Sequence, residues 1–177
     1  MGLLGHFAVS MAAKPWAPRI SFFVLFMAAM SLDFLFMALA FARAGDPASW
    51  SHGLFMSVVW SILTGFAVAW VCRDYRAGLV LGSVVFSHWI LDWISHPIPF
   101  STFSWRTWRW DYGHHLPPDL PLFFAGSPKV ALGLYDHISA VAATILEVSM
   151  FIVGTAVYLR YRAKADVPGL TEDRSGY

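Results

Sequence analysis

Four apolar runs, each close to the ~20 helical residues that cross a bilayer, constrain this chain more than any other feature. The first covers residues 20–42 and holds a single charge, Asp33. The second covers 53–71 and holds none. The third covers 77–100 and holds Asp92. The fourth lies within 130–159, with Asp136 near its start and Glu147 near its middle. Charged residues make up only 13% of the 177 residues, where a soluble domain of this size carries roughly 25%. Lipid is therefore the expected solvent for these runs. The sequence reads as an all-α integral membrane bundle of about four transmembrane helices plus a short N-terminal helix. Residues 1–162 form one domain, and 163–177 form a polar tail.

Punctuation between the runs supports that division. Pro15 and Pro18 separate the segment 2–13 from the first run; at that length it is expected to be half-inserted or interfacial. It lacks the basic start of a signal peptide, and His6 interrupts its apolar stretch. Gly45-Asp46-Pro47 is a turn, and Arg73-Asp74-Tyr75-Arg76 is a short charged one. Residues 101–128 read as one long loop. Its Trp105, Trp108, Trp110 and Tyr112 suit an aromatic belt at headgroup level. With four spans, Lys14, Arg19, Arg73, Arg76, Arg160, Arg162 and Lys164 share one side, and Arg43, Arg106, Arg109 and Lys129 the other. Seven against four places both termini in the cytoplasm. The net charge of +1 comes with no basic stripe, so no nucleic-acid binding is expected. Cys72 is the only cysteine, which excludes an internal disulfide and a multi-thiolate metal site and leaves a small packing residue.

The strongest chemical signal is SHWILDWISH at 87–96. His88, Asp92 and His96 recur every four residues, so each lies only about 40° round the helix from the last. Ionisable groups within a span are costly and usually face a bundle interior or a wet cavity. The proposed topology brings Asp33, His52, Asp92, His96, Asp136 and His137 to a similar depth, with His88 and Glu147 somewhat deeper, all within ~15 Å of the outer interface. A shared pocket accounts for that agreement. Imidazoles and carboxylates without thiolates suit zinc, manganese or iron. A polar network that holds helices together and an ion or proton path are the other readings of the same residues. His114 and His115 read as solvated loop residues, and Asp119 as a turn former or a cap on the pocket.

Three stretches resemble the YdjM-type membrane-bound metal-dependent hydrolases, helical inner-membrane proteins that are distantly similar to the zinc phospholipase C and P1 nuclease group. GHFAVS at 5–10 is similar to that family's N-terminal Gly-His motif. SHGL at 51–54 stands where the family has Thr-His-Ser, and FSHWILDWIS at 86–95 is similar to its Ser-His-x-x-x-Asp motif. SLDFLF at 31–36 stands for its Pro-Asp-x-Asp segment. The likeness covers residues 1–100 and implies that His6, Asp33, His52, His88 and Asp92 hold or flank a metal. The chain departs from the pattern in two places. DPASWSH lacks the histidine of the family's His-Arg-Gly, and the second aspartate of Pro-Asp-x-Asp is missing. Fewer ligands imply one metal instead of two or three, or a site that binds without turnover.

The resulting expectation is a bacterial inner-membrane hydrolase that uses a divalent metal, zinc first, on a phosphoester, possibly lipid, substrate in the outer half of the bundle. His96, His137 and Glu147, with Asp136, are candidates for further ligands or the general base. The alternatives are a non-catalytic subunit of a larger membrane complex, with protein partners beside the lipid bilayer, and an ion or proton conduit.

Overall fold

The computed structural model describes residues 3–42, 47–95, 102–104, 109–111, 134 and 137–165. The first helix, α1 (Leu3–Ala13), runs into a single 3-10 turn at Lys14–Trp16. Pro15 brings no N–H to prolong the helix, and the Lys14 ammonium donates to the carbonyls of Pro18 and Ile20 to close the corner. Ser21 then caps α2 (Phe22–Ala29), its Oγ accepting from the Val24 N–H at 3.2 Å.

The first apolar run is not one straight helix. It breaks at Met30 and resumes as α3 (Ser31–Phe41), with a 54° bend between the two pieces. Ser31 Oγ donates to the Ala28 carbonyl at 2.8 Å. Such back-bonding by serine competes with the helix ladder and often accompanies a bend.

A short α4 (Pro47–His52) begins on a proline, whose missing N–H costs nothing in a first turn. Gly53 is extended, with φ −61° and ψ 139°, and separates His52 from α5 (Leu54–Cys72). Arg73 closes α5 in the left-handed region at φ 50°. The Asp74 carboxylate accepts from the N–H groups of Arg76 and Ala77 at 3.0 and 3.1 Å and so caps α6 (Tyr75–Ser95). A two-stranded antiparallel ribbon follows, β1 (Thr102–Ser104) and β2 (Arg109–Asp111), with Phe103 opposite Trp110. It lies within the stretch read from sequence as plain loop. The last helix, α7 (Ala140–Ala165), starts with Ser139 Oγ accepting from the Ala142 N–H at 3.2 Å.

Among the described residues, three helices are long and apolar enough to cross a membrane: α5, α6 and the 141–164 stretch of α7. The α2–α3 pair meets the same test only when its two pieces are joined. Their outward residues are large and bare, such as Phe66 at 67% and Trp70 at 74% exposure on α5, and Val153 at 62% on α7. Water would penalise such faces, whereas lipid accepts them. The structure is that of a helical membrane protein.

Small residues set the helix spacing. A Cβ on Gly78 of α6 would lie 2.7 Å from Ala69 Cβ of α5, and one on Gly82 would lie 2.8 Å from the Ser61 carbonyl. Ser61, Gly65 and Ala69 repeat every four residues and face Gly78 and Gly82, so the two backbones touch. A second close approach joins α7 to α1, where a Cβ on Gly154 would lie 2.5 Å from the Ala8 carbonyl. The N-terminal segment, expected to be half-inserted or interfacial, is thus a helix packed into the bundle. His6, Ala8 and Ser10 are buried, and α1 packs against α2, α6 and α7. Within an 11-residue helix, the small Ala8 and Ser10 let neighbouring backbones come near.

Replacing Gly78 with valine is expected to lower the thermal midpoint of the detergent-purified protein, since overpacking costs about 1–3 kcal/mol. Leu79→Val, at a position 67% exposed, is the control. Equal midpoints for the two variants would show that α5 and α6 do not meet at this glycine.

Candidate metal centre

Four helices deliver ligand atoms to one point. Asp33 sits in the first turn of α3, just past the break. His52 ends α4, turned by the extended Gly53. His88 and Asp92 come from consecutive turns of α6. His6 of α1 lies against His88, with ring centroids 4.2 Å apart. His6, His52, His88 and Asp92 are buried, and Asp33 is partly open.

The distances are informative. His52 Nε2 lies 3.2 Å from His88 Nε2, 3.3 Å from Asp33 Oδ1 and 3.5 Å from Asp92 Oδ2. His88 Nε2 lies 3.5 Å from Asp33 Oδ1 and 3.1 Å from Asp92 Oδ2. An ion bound about 2.0–2.1 Å from four N and O donors at tetrahedral corners holds those donors about 3.3–3.4 Å apart. The five separations, spanning 3.1 to 3.5 Å, straddle that value.

Hydrogen-bond partners on the far side of each ring assign the tautomers. His88 Nδ1 lies 2.7 Å from the Ala29 carbonyl oxygen, which can only accept. His88 therefore carries its proton on Nδ1. Ser51 Oγ donates to the Pro47 carbonyl at 2.7 Å and lies 2.7 Å from His52 Nδ1. With its one hydrogen committed to Pro47, Ser51 accepts from His52 Nδ1–H. Both rings thus turn Nε2 toward two carboxylate oxygens, a contact that either a proton on the ring or a metal ion between the groups would complete. Rings oriented through Nδ1–H to a carbonyl or hydroxyl are the usual outer support of a metal-binding histidine. Phe36 adds an edge contact to His52, with centroids 5.7 Å apart.

Among the described residues, two sets could each hold a metal ion: Asp33 with His52 and His88, and His6 with His88 and Asp92. Within each set the ligand atoms lie within 4.8 Å of one another. All five residues expected to hold or flank a metal are thus brought together. Of the four further candidates, only His137 and Glu147 are among the described residues, and neither is in either set. His96 and Asp136 lie outside the described residues. His137 is exposed ahead of α7. Glu147 is buried on α7 at 7% exposure but belongs to neither set. His114, His115 and Asp119 also lie outside the described residues. Sequence reading missed Ser51 and the Ala29 carbonyl. Ser51 stands beside a singled-out histidine, but nothing in sequence marks a backbone carbonyl as free.

No family model, characterised protein or solved structure matches this chain.

Ser51→Ala is expected to weaken metal affinity about 10–100-fold, the usual cost of losing an outer partner of a histidine ligand. Competition with a calibrated chelator measures it, and Ser87→Ala serves as the comparison because Ser87 Oγ bonds the Val84 carbonyl instead. Unchanged affinity in Ser51→Ala would show that His52 is oriented by other means.

Proposed function

We propose that this protein is a membrane-bound metal-dependent hydrolase that acts on a phosphoester. The observation that carries the reading is the convergence of His52 and His88 with Asp33 and Asp92 at donor–donor separations of 3.1 to 3.5 Å, the spacing of neighbouring ligands on one ion. The likeness of GHFAVS, SHGL and FSHWILDWIS to the YdjM-type hydrolases supplies the reaction class. A single ion is favoured. His88 belongs to both possible sets, and with Nδ1 committed to Ala29 it has one nitrogen to give. The mixed nitrogen and oxygen donors favour zinc, with manganese or iron as alternatives.

Bound metal would lower the pKa of a water and polarise a phosphoryl oxygen. The chain's own residues divide the remaining work. His52, His88 and Asp92 are the buried ligands, with side chains 11, 1 and 6% exposed. Asp33, at 37%, has room to turn away, yield its place to water and accept that water's proton. Water oxygen bonds to phosphorus, the ester P–O bond breaks, and the alcohol leaves with a proton.

The proposed setting is a bacterial inner membrane with four spans, the bent α2–α3 pair serving as the first. Discontinuous helices are tolerated at membrane depth where they line a site, and this break does so. Both termini face the cytoplasm in this reading, on the balance of seven basic residues against four.

One observation favours a second reading. Four protein ligands close a tetrahedral ion, as in structural metal sites. The protein would then be a non-catalytic membrane subunit stapled by its metal.

Elemental analysis of the purified protein is expected to find one divalent ion per chain, lost in Asp92→Ala while the variant remains inserted. The metal-loaded protein is expected to hydrolyse bis-p-nitrophenyl phosphate. Asp33→Ala is expected to keep the metal and lose that activity. Two or more ions per chain would end the single-ion reading. A loaded protein without activity, whose Asp33→Ala variant melts lower, would favour the structural subunit.

A further inference from the structure

His6 is buried beside the cluster, yet the hydrolysis as written gives it no part. Its ring lies 4.2 Å from that of His88, centroid to centroid. Ser10 Oγ donates to the His6 carbonyl at 2.9 Å and lies 3.4 Å from the Leu25 carbonyl oxygen, which ties this turn of α1 to α2. His6 and Asp33 belong to different ligand sets, and the two sets meet at His88. With Nδ1 given to Ala29, His88 has one nitrogen for an ion, so the two positions exclude each other. Filling both would also set four positive charges against two carboxylates in a medium that penalises excess charge. Asp92 reaches both positions: it belongs to the His6 set, and its Oδ2 lies 3.5 Å from His52 Nε2. Within each set the ligand atoms are no more than 4.8 Å apart, and with ligands in common the two positions are a short distance from each other.

The two carboxylates differ in what they lose by letting go. Asp33, with its side chain 37% exposed, is solvated when released. Asp92, at 6%, would become a bare charge in a dry interior. A neutral imidazole such as His6 leaves no buried charge whether it is bound or free. Asp33 is therefore the ligand that can leave, and His6 the one that can take over. We propose that His6 and Asp33 alternate as ligands of one ion, so that the centre has two arrangements about His88 and Asp92, one completed by Asp33 with His52 and the other by His6. The proposal rests on the hydrolase reading and makes His6 a positioning residue in it. While His6 is a ligand, Asp33 is released to accept the proton of the attacking water.

The test measures cobalt(II) affinity of the full chain in maltoside micelles, by competition with a calibrated chelator, for the wild type, Asp33→Ala, His6→Phe and the double variant. Phenylalanine keeps an aromatic ring against His88, and His6→Leu replaces it if that variant does not fold. Each single variant is expected to keep one equivalent of cobalt and lose affinity only a few-fold, because the other ligand stands in. The double variant is expected to lose about tenfold more than the product of the two single losses, whereas independent sites lose affinity additively. The visible spectrum of bound cobalt reports its donors and geometry. It is expected to differ between the two single variants and to be a temperature-dependent mixture of both in the wild type. Additive losses, a His6→Phe variant with wild-type affinity and spectrum, or identical spectra in the two single variants overturns the exchange. Additive losses alongside wild-type cleavage of bis-p-nitrophenyl phosphate do so while leaving the hydrolase reading intact. Non-additive losses without cleavage of that diester keep the exchange and remove the hydrolysis. A wild type that binds no cobalt overturns both.

Discussion

The hydrogen bond from His88 Nδ1 to the Ala29 carbonyl organises the part of this bundle that holds the His/Asp cluster. It links the central helix α6 to the broken first run, and it fixes which nitrogen of His88 faces the cluster. A continuous helix would direct the Ala29 carbonyl along its own ladder. The break at Met30 turns it toward α6 instead, and the same break swings Asp33 to within 3.5 Å of the ring. One local defect in a helix thus supplies both the outer support of a histidine and an inner carboxylate. Defects of this kind survive at membrane depth because neighbouring groups re-satisfy the freed backbone.

Much of the architecture was legible from sequence because bilayer thickness forces long apolar runs. The second and third runs became α5 and α6 within a few residues of their expected starts. The first run was harder. It is apolar apart from Asp33 and two serines, and its break at Met30 is a local backbone event that hydropathy does not register. The length of the N-terminal segment excludes a full crossing, but length says nothing of the small-residue face that packs it into the bundle. Ala8 against Gly154 decided its position, a contact across 146 positions of chain.

The five ligand candidates were legible for a different reason. Hydrocarbon tolerates ionisable groups only where they find partners, so an imidazole or carboxylate in a span is informative in a way that it is not in water. Spacing on one helix gave His88 with Asp92, and the depth argument brought in Asp33 and His52. What sequence does not show is how the rings are turned. Among the described residues the dipeptide Ser-His occurs whole at 51–52 and at 87–88, yet of these two serines it is the first that touches its histidine. Ser87 bonds back to its own helix, and a backbone carbonyl orients His88 instead. Identical local sequence serves two ends because tertiary neighbours decide which acceptor is nearest.

The donor set also carries a charge count. Two carboxylates and two neutral imidazoles sum to minus two, so a doubly charged ion makes the assembly electroneutral. A monovalent or trivalent guest would leave a net charge inside a medium of low permittivity, where an isolated charge is heavily penalised. Valence, ahead of ionic radius, becomes the first selector among guests. Departure of the ion would likewise strand two negative charges beneath lipid unless protons replaced it, so release is tied to proton entry and slowed by it. Such a centre would be filled as the bundle assembles and would keep its occupant afterwards.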